Sequence, residues 1–260
     1  MRIIATTTQS NSYISDSFSQ FLAETGYELV QRASKSLKRL SYEYQAAGII
    51  VWKDNGPQLY IEDQRYFFHP SMAKIRITMF RKNGTLDPMV EACGLDGTQD
   101  FLDCTLGMGS DAIVAAYFNP SRRVVGVEKS PLIASITKWG MRLYESSEAY
   151  LDQAVKRVQV ISMDHREYLR QQPDNAYDVV YFDPMFRTPF LKSQAISPLR
   201  LIACDKPLER SVIEEACRVA RQRVVMKEAV FSREFERLGF KRVDRSRNRK
   251  IAFGIIQINH

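Results

Sequence analysis

From residue 101 onwards, short continuous apolar runs alternate with longer stretches whose apolar residues recur at helical spacing. The apolar runs fall at 101–104, 124–128, 158–162, 179–183 and 223–227. Runs this short and this apolar fit strands buried on both faces. Helical spacing occupies 110–118, 131–144, 164–171 and 208–220. The strand–helix–strand order predicts a parallel sheet covered by helices on both sides. The end breaks the pattern: 239–243 and 251–258 read as strands with only a basic segment between them. A terminal hairpin there adds an antiparallel strand. Five parallel strands and a hairpin make a seven-stranded sheet, one strand more than a standard dinucleotide fold.

Before residue 95 the pattern is irregular. Helical stretches fall at roughly 16–40, and short β-rich runs follow at 48–52, 58–62 and 65–68. The turn signal Asp54-Asn55-Gly56-Pro57 joins the first two runs into a hairpin. A helix over 71–81 stops near Asn83-Gly84, and a short one over 87–93 stops at Gly94. The organisation predicted is α/β. A small α+β lobe over 1–83, read as substrate-positioning, precedes a Rossmann-like ligand-binding domain over 84–260.

Composition narrows the class. No run approaches the ~20 apolar residues of a membrane span. The opening Met1-Arg2-Ile3-Ile4-Ala5 passes at once into Thr, Ser and Asn, without a secretory apolar segment. The expected location is the cytoplasm, with no membrane partner. Cys93, Cys104, Cys204 and Cys217 form no C-x-x-C pair, and His69, His165 and His260 are scattered, so no metal site is expected. A net charge of +7 favours a polyanionic partner, nucleic acid first among them.

The chemistry collects at strand ends. The first strand runs into Leu102-Asp103-Cys104-Thr105-Leu106-Gly107-Met108-Gly109-Ser110-Asp111. Glycines after a strand let the backbone approach a ligand, and the next helix presents its N–H groups there. The second strand ends at Glu128, 25 residues after Asp103, where an acid can accept hydrogen bonds from both hydroxyls of a ribose. Asp164, after the third strand, fits two roles: acceptor for an adenine amine, or cap of the following helix. The fourth strand ends Tyr181-Phe182-Asp183-Pro184-Met185-Phe186, the most specific signal in the chain. An exocyclic base amine is a poor nucleophile because its lone pair is delocalised. A carboxylate such as Asp183 can accept its N–H and orient it. Pro184 fixes the backbone so that a carbonyl can take the second hydrogen, and the Phe186 ring can stack on a base drawn out of its helix.

Asp183-Pro184-Met185-Phe186 resembles the [D/N/S]-P-P-[Y/F] motif of amino-methyltransferases. With 103–111 and Glu128-Lys129-Ser130-Pro131, it makes the chain similar to class I S-adenosylmethionine-dependent methyltransferases. More narrowly, it resembles the bacterial small-subunit ribosomal RNA methyltransferase J family, which methylates a guanine N2. The likeness spans roughly 84–230. It implies S-adenosylmethionine as cofactor, held by Asp103, Thr105, Gly107, Gly109, Asp111, Glu128, Lys129, Asp164 and Asp183. It implies a catalytic set of Asp183, Pro184 and Phe186, and RNA as partner, small-subunit ribosomal RNA or its particle. Phe186, Arg187 and Lys192 follow as substrate contacts.

Other readings stay open on the residues alone. A methyltransferase of DNA, protein or a small molecule shares the same motifs. A nucleotide-dependent oxidoreductase shares Glu128 but expects a third glycine, where this chain has Ala112. A non-enzymatic RNA-binding protein has no need of Asp183. The stretch 241–250 carries six basic residues and one acid. It reads either as a solvated hairpin tip or, through Arg245, Arg247 and Arg249, as a phosphate contact. Arg32, Lys35, Lys38 and Arg39 extend such a surface into the first lobe.

Overall fold

A computed structural model describes residues 1–8, 13–184, 207–243 and 250–259. Two sheets organise the chain. The first contains β1 (Ile3–Thr6), β2 (Glu28–Leu29), β3 (Gly48–Lys53), β4 (Gly56–Ile61) and β5 (Gln64–Phe67), in the order β2-β1-β3-β4-β5. The second contains β6 (Phe101–Asp103), β7 (Val124–Glu128), β8 (Val158–Ser162), β9 (Tyr177–Phe182), β10 (Ala220–Ala229), β11 (Lys241–Val243) and β12 (Ile251–Gln257). Its order is β11-β12-β10-β9-β6-β7-β8. The neighbours from β10 to β8 pair in parallel, while β12 runs antiparallel to both β10 and β11. The expected seven-stranded sheet and its terminal hairpin are both present.

Strand order reverses at β6: the chain steps outward through β7 and β8, then returns to the other side of β6 with β9. Loops leaving β6 and β9 therefore diverge and open a crevice above their carboxyl ends. Helices α5 (Ser110–Phe118), α6 (Pro131–Leu143), α7 (Ala149–Arg157), α8 (His165–Gln171) and α9 (Arg210–Val219) cover the sheet. Alternate residues of β9 face opposite cores. Val179 and Tyr181 join the layer with α5 and α7, while Val180 and Phe182 join the layer with α8 and α9.

The first sheet is joined to the second through α6. Leu132, Ile133, Ile136 and Trp139 share a buried cluster with Phe18 and Phe21 of α1 (Asp16–Thr25) and with Trp52. Trp52 stacks on Phe18 at 5.0 Å and meets Trp139 edge-on at 5.7 Å. Glu24 adds a polar tie, accepting from Lys138 Nζ at 2.9 Å and Trp139 Nε1 at 3.1 Å. Helices α3 (Ser71–Asn83) and α4 (Pro88–Cys93) connect the two sheets.

Local signals account for the departures from expectation. The helical stretches expected over roughly 16–40 are two helices with a short strand between them. Gly26, in the left-handed conformation at φ +69°, ends α1, and Ser36 caps the start of α2 (Leu37–Tyr44). Between them β2 pairs with β1, a strand of only four residues that the polar run after it obscures. Helix α7 and the five-residue α10 (Glu234–Leu238) occupy stretches with no expected element. Three of the four basic residues expected to extend a phosphate-binding surface in the first lobe are paired within it. Lys35 and Arg39 pair with Glu43, and Lys38 lies 3.5 Å from Asp63.

Candidate active site

The crevice at the reversal point is a cavity of about 860 Å³. Asp103, Gly107, Glu128, Asp183 and Lys227 line it from the large sheet, and Arg65, Phe67 and Arg76 from the first lobe and α3. The volume is that of a site for a nucleoside-sized ligand with room for a second reactant.

Its floor is the loop between β6 and α5. Gly107 and Gly109 are both left-handed, at φ +52° and +76°, a conformation costly for any residue with a Cβ. A Cβ on Gly109 would also meet Met141 Cε at 2.2 Å, whereas Gly107 faces open space. Glu128 closes this loop. Its Oε2 accepts the Gly107 N–H at 3.0 Å and its Oε1 accepts the Ser130 N–H at 2.8 Å. Burial raises its pKa while backbone donors from Ser130, Gly107 and Lys129 oppose the rise.

Asp103 is 2% exposed, and its Oδ1 accepts the Thr105 N–H at 2.9 Å. Burial, with Asp111 nearby, pushes its pKa up to about 8. A neutral carboxyl waits there for a cationic group. Thr105 also fixes the fourth strand: its Oγ1 accepts the Asp183 N–H at 2.6 Å, so the two loops are tied at their closest approach.

Around Asp183 the cavity is lined by an ion network that has no motif in the sequence. Lys227, near the end of β10, places Nζ 2.6 Å from Asp183 Oδ2 and 3.2 Å from Asp111 Oδ2. Asp111 also accepts from Tyr181 Oη at 2.9 Å and from the Arg76 guanidinium. Arg76 reaches on from α3 to bind Asp87 through both carboxylate oxygens, at 2.7 and 2.8 Å. Burial alone would raise the pKa of Asp111, but Lys227 and Arg76 hold it below the ordinary carboxylate range. Asp183 goes the other way. Burial outweighs Lys227, Asp111 adds repulsion, and its pKa rises to about 6. Burial disfavours the Lys227 ammonium, yet the two carboxylates raise its pKa and keep it charged.

Among the expected site residues, Asp103, Thr105, Gly107, Asp111, Glu128, Lys129, Asp183 and Pro184 line one cavity. Gly109 sits at the start of α5 beneath it. Asp164 caps α8 by accepting the Arg166 N–H at 2.9 Å, and it pairs with Lys129 at 3.0 Å. Its bond to Arg166 holds its pKa low. Phe186, Arg187, Lys192, Arg245, Arg247 and Arg249 lie outside the described residues. Among the described residues no cluster of His, Cys, Asp or Glu could hold a metal, and no helix is long and apolar enough to cross a membrane.

Residues 55–247 match the model of a family described as "Putative SAM-dependent methyltransferase". The chain belongs to this methyltransferase family. Its cofactor is S-adenosylmethionine, and the crevice suits it: open space over Gly107, two acceptor oxygens on Glu128 and a buried carboxyl at Asp103. The methyltransferase is 35% identical over 256 residues to the "Uncharacterized protein YpiP" of Bacillus subtilis, covering 98% of this chain and 99% of that one. It is 32% identical over 154 residues to the ribosomal RNA small subunit methyltransferase J of Pseudoalteromonas atlantica, covering 55% of this chain and 58% of that protein. The counterpart from Laribacter hongkongensis is 38% identical over 109 residues, covering 40% of this chain. This chain spans 36% of that relative's length. A SAM-dependent methyltransferase from Neisseria gonorrhoeae shares the fold, with a TM-score of 0.65, 16% identity and coverage of 98% and 95% of the two chains. The seven-stranded sheet is thus the class I Rossmann-like methyltransferase sheet, accompanied by a smaller N-terminal one.

Proposed function

We propose that this methyltransferase acts on an exocyclic base amine of RNA, guanine N2 of small-subunit ribosomal RNA. The carrying observation is Asp183-Pro184 at the end of β9, with the carboxylate in the cavity and one oxygen held by Lys227. S-adenosylmethionine supplies an electrophilic methyl group when bound. Asp103, the 107–109 loop, Glu128 and Lys129 form the half of the cavity that holds it. Asp183 Oδ1 accepts an N–H of the incoming amine, orients its lone pair and stabilises the positive charge that nitrogen gains on attack. With its pKa at about 6, Asp183 is mostly ionised at neutral pH and able to take the proton the amine must shed. Pro184 restricts the backbone beside the amine, and Phe186 stacks on the base in this reading. The partial likeness to ribosomal RNA methyltransferases J and the net charge of +7 both favour a ribosomal RNA substrate, met in the cytoplasm. The lobe over 1–83 positions that substrate.

Gene deletion followed by mapping of small-subunit RNA by nucleoside mass spectrometry tests the reading. One N2-methylguanosine should disappear and return on complementation. A deletion strain that keeps every small-subunit methyl group would rule the substrate out.

A further inference from the structure

The edge strand of the first sheet brings chemistry to the cavity that the methyl-transfer site does not use. Successive residues of β5 alternate in direction. Tyr66 and Phe68 point inward and are buried. Tyr66 packs in the cluster that contains Trp139, and Phe68 lies so close to Gly140 of α6 that a Cβ there would meet it at 2.1 Å. These two residues pin the strand to the large domain. Arg65, Phe67 and, just past the strand, His69 point the other way and, like the buried Tyr66, line the cavity. Arg65 and His69 are exposed and Phe67 is half-buried.

The three outward side chains form a ladder. The Arg65 guanidinium lies over the Phe67 ring at 4.5 Å, and the Phe67 and His69 rings are 5.3 Å apart. Among the described residues no carboxylate pairs with Arg65. A planar cation, an aromatic ring and an imidazole at two-residue spacing offer flat faces and positive charge together. Neither a hydrophobic core nor a solvated edge requires that set. Single-stranded nucleic acid does: its bases stack on aromatic and guanidinium faces, and its phosphates need cations.

We propose that Arg65, Phe67 and His69 form a stacking platform for the nucleotides flanking the target base in single-stranded RNA. The proposal rests on RNA being the substrate and names where that substrate is gripped. Drawing one base into the cavity strips its neighbours of a stacking partner, which opposes binding. The platform at the mouth gives those neighbours replacement faces. Because Tyr66 and Phe68 hold β5 against α6, the platform is in place before RNA arrives, and little order is lost on binding.

The test measures the affinity of a fluorescein-labelled single-stranded RNA of small-subunit sequence by anisotropy, with S-adenosylhomocysteine present, for wild type, Phe67→Ala, Arg65→Lys and His69→Ala. Phe67→Ala should weaken RNA binding by about fivefold or more, the low end for losing one stacking partner. Arg65→Lys, which keeps the charge and loses the plane, should weaken it by at least about threefold. S-adenosylhomocysteine affinity by calorimetry should stay within twofold in all variants, including the exposed His69→Ala, which cannot disturb the core. Wild-type RNA affinity in Phe67→Ala and Arg65→Lys, from an enzyme that does methylate RNA, overturns the platform alone. Unchanged RNA affinity with lost binding to small-subunit particles would assign the face to a protein and also overturn it. A wild type that neither binds nor methylates RNA overturns the platform together with the substrate reading.

Discussion

Replacing Lys227 by Met should move the acid limb of the pH–rate profile upward. Lys227 stands between two buried carboxylates, 2.6 Å from Asp183 and 3.2 Å from Asp111. Unit charges about 3 Å apart at an effective dielectric near 20 attract by roughly 5 kcal/mol. If entering water and relaxation leave only a third of that, about 1.7 kcal/mol is lost, somewhat more than one pK unit. The Asp183 carboxyl, at about 6 with Lys227 present, then titrates above pH 7. The ionised form, which accepts the amine N–H, falls from roughly nine-tenths to about a third at pH 7 and returns near pH 9. Turnover of Lys227→Met at saturating substrates should therefore be about threefold or more below wild type at pH 7, recovering most of the difference by pH 9. Single-turnover methyl transfer from labelled cofactor between pH 5.5 and 9.5 gives the profile. A Lys227→Met limb that coincides with the wild-type limb would show that the ion pair does not set the state of Asp183.

Three further outcomes concern the ion network, Asp103 and the basic stretch of the sequence. Arg76→Met leaves the buried Asp111 and the partly buried Asp87 without their shared cation while Asp111 keeps Lys227, and should lower unfolding stability by about 1–3 kcal/mol in urea titration; a loss under 1 kcal/mol would contradict the pairing. Asp103, pushed up to about 8, is protonated in the free enzyme at pH 7 and should release its proton when a cofactor ammonium arrives. Affinity for S-adenosylhomocysteine should therefore rise with pH up to about 8, and calorimetry in buffers of different ionisation enthalpy should show up to one proton released at pH 7; no buffer dependence would refute it. Neutralising Arg245, Arg247 and Arg249 together should lower RNA affinity and flatten its salt dependence; an unchanged slope returns that stretch to a solvated tip.

Where the physics is local, the sequence was legible. Val124–Val127 and Val179–Phe182 are continuous apolar runs because both faces of each strand are covered, and glycines mark the loop after β6. The acids at strand ends, Asp103, Glu128 and Asp183, stand out because a carboxylate ending a buried strand has few structural reasons to be there. Lys227 was hidden for the converse reason. It is a single cation after Val224-Val225-Met226, and its partners lie 116 and 44 residues away in sequence. Arg76 sits on a helix and meets Asp111 only after α3 packs on α5. Asp111, read as a cofactor ligand from its place after the glycines, is engaged by Arg76, Lys227 and Tyr181. These contacts tie it to Lys227 while it lines the cavity. The ladder on β5 was equally obscure, since Arg65, Phe67 and His69 gain meaning only when the first sheet is brought against the cavity.

The central claim is that Asp183 acts in methyl transfer to an RNA base amine and not in holding the cofactor. Single-turnover transfer from labelled S-adenosylmethionine to small-subunit RNA lacking the modification, run on wild type and Asp183→Asn beside a calorimetric S-adenosylhomocysteine titration, tests it most directly. Asparagine keeps the shape but loses the charge and can present an N–H where an acceptor is needed. The rate should fall ~10²-fold or more, with cofactor affinity changed by less than ~1 kcal/mol. Transfer at the wild-type rate, or loss of cofactor binding in step with loss of activity, would contradict the account.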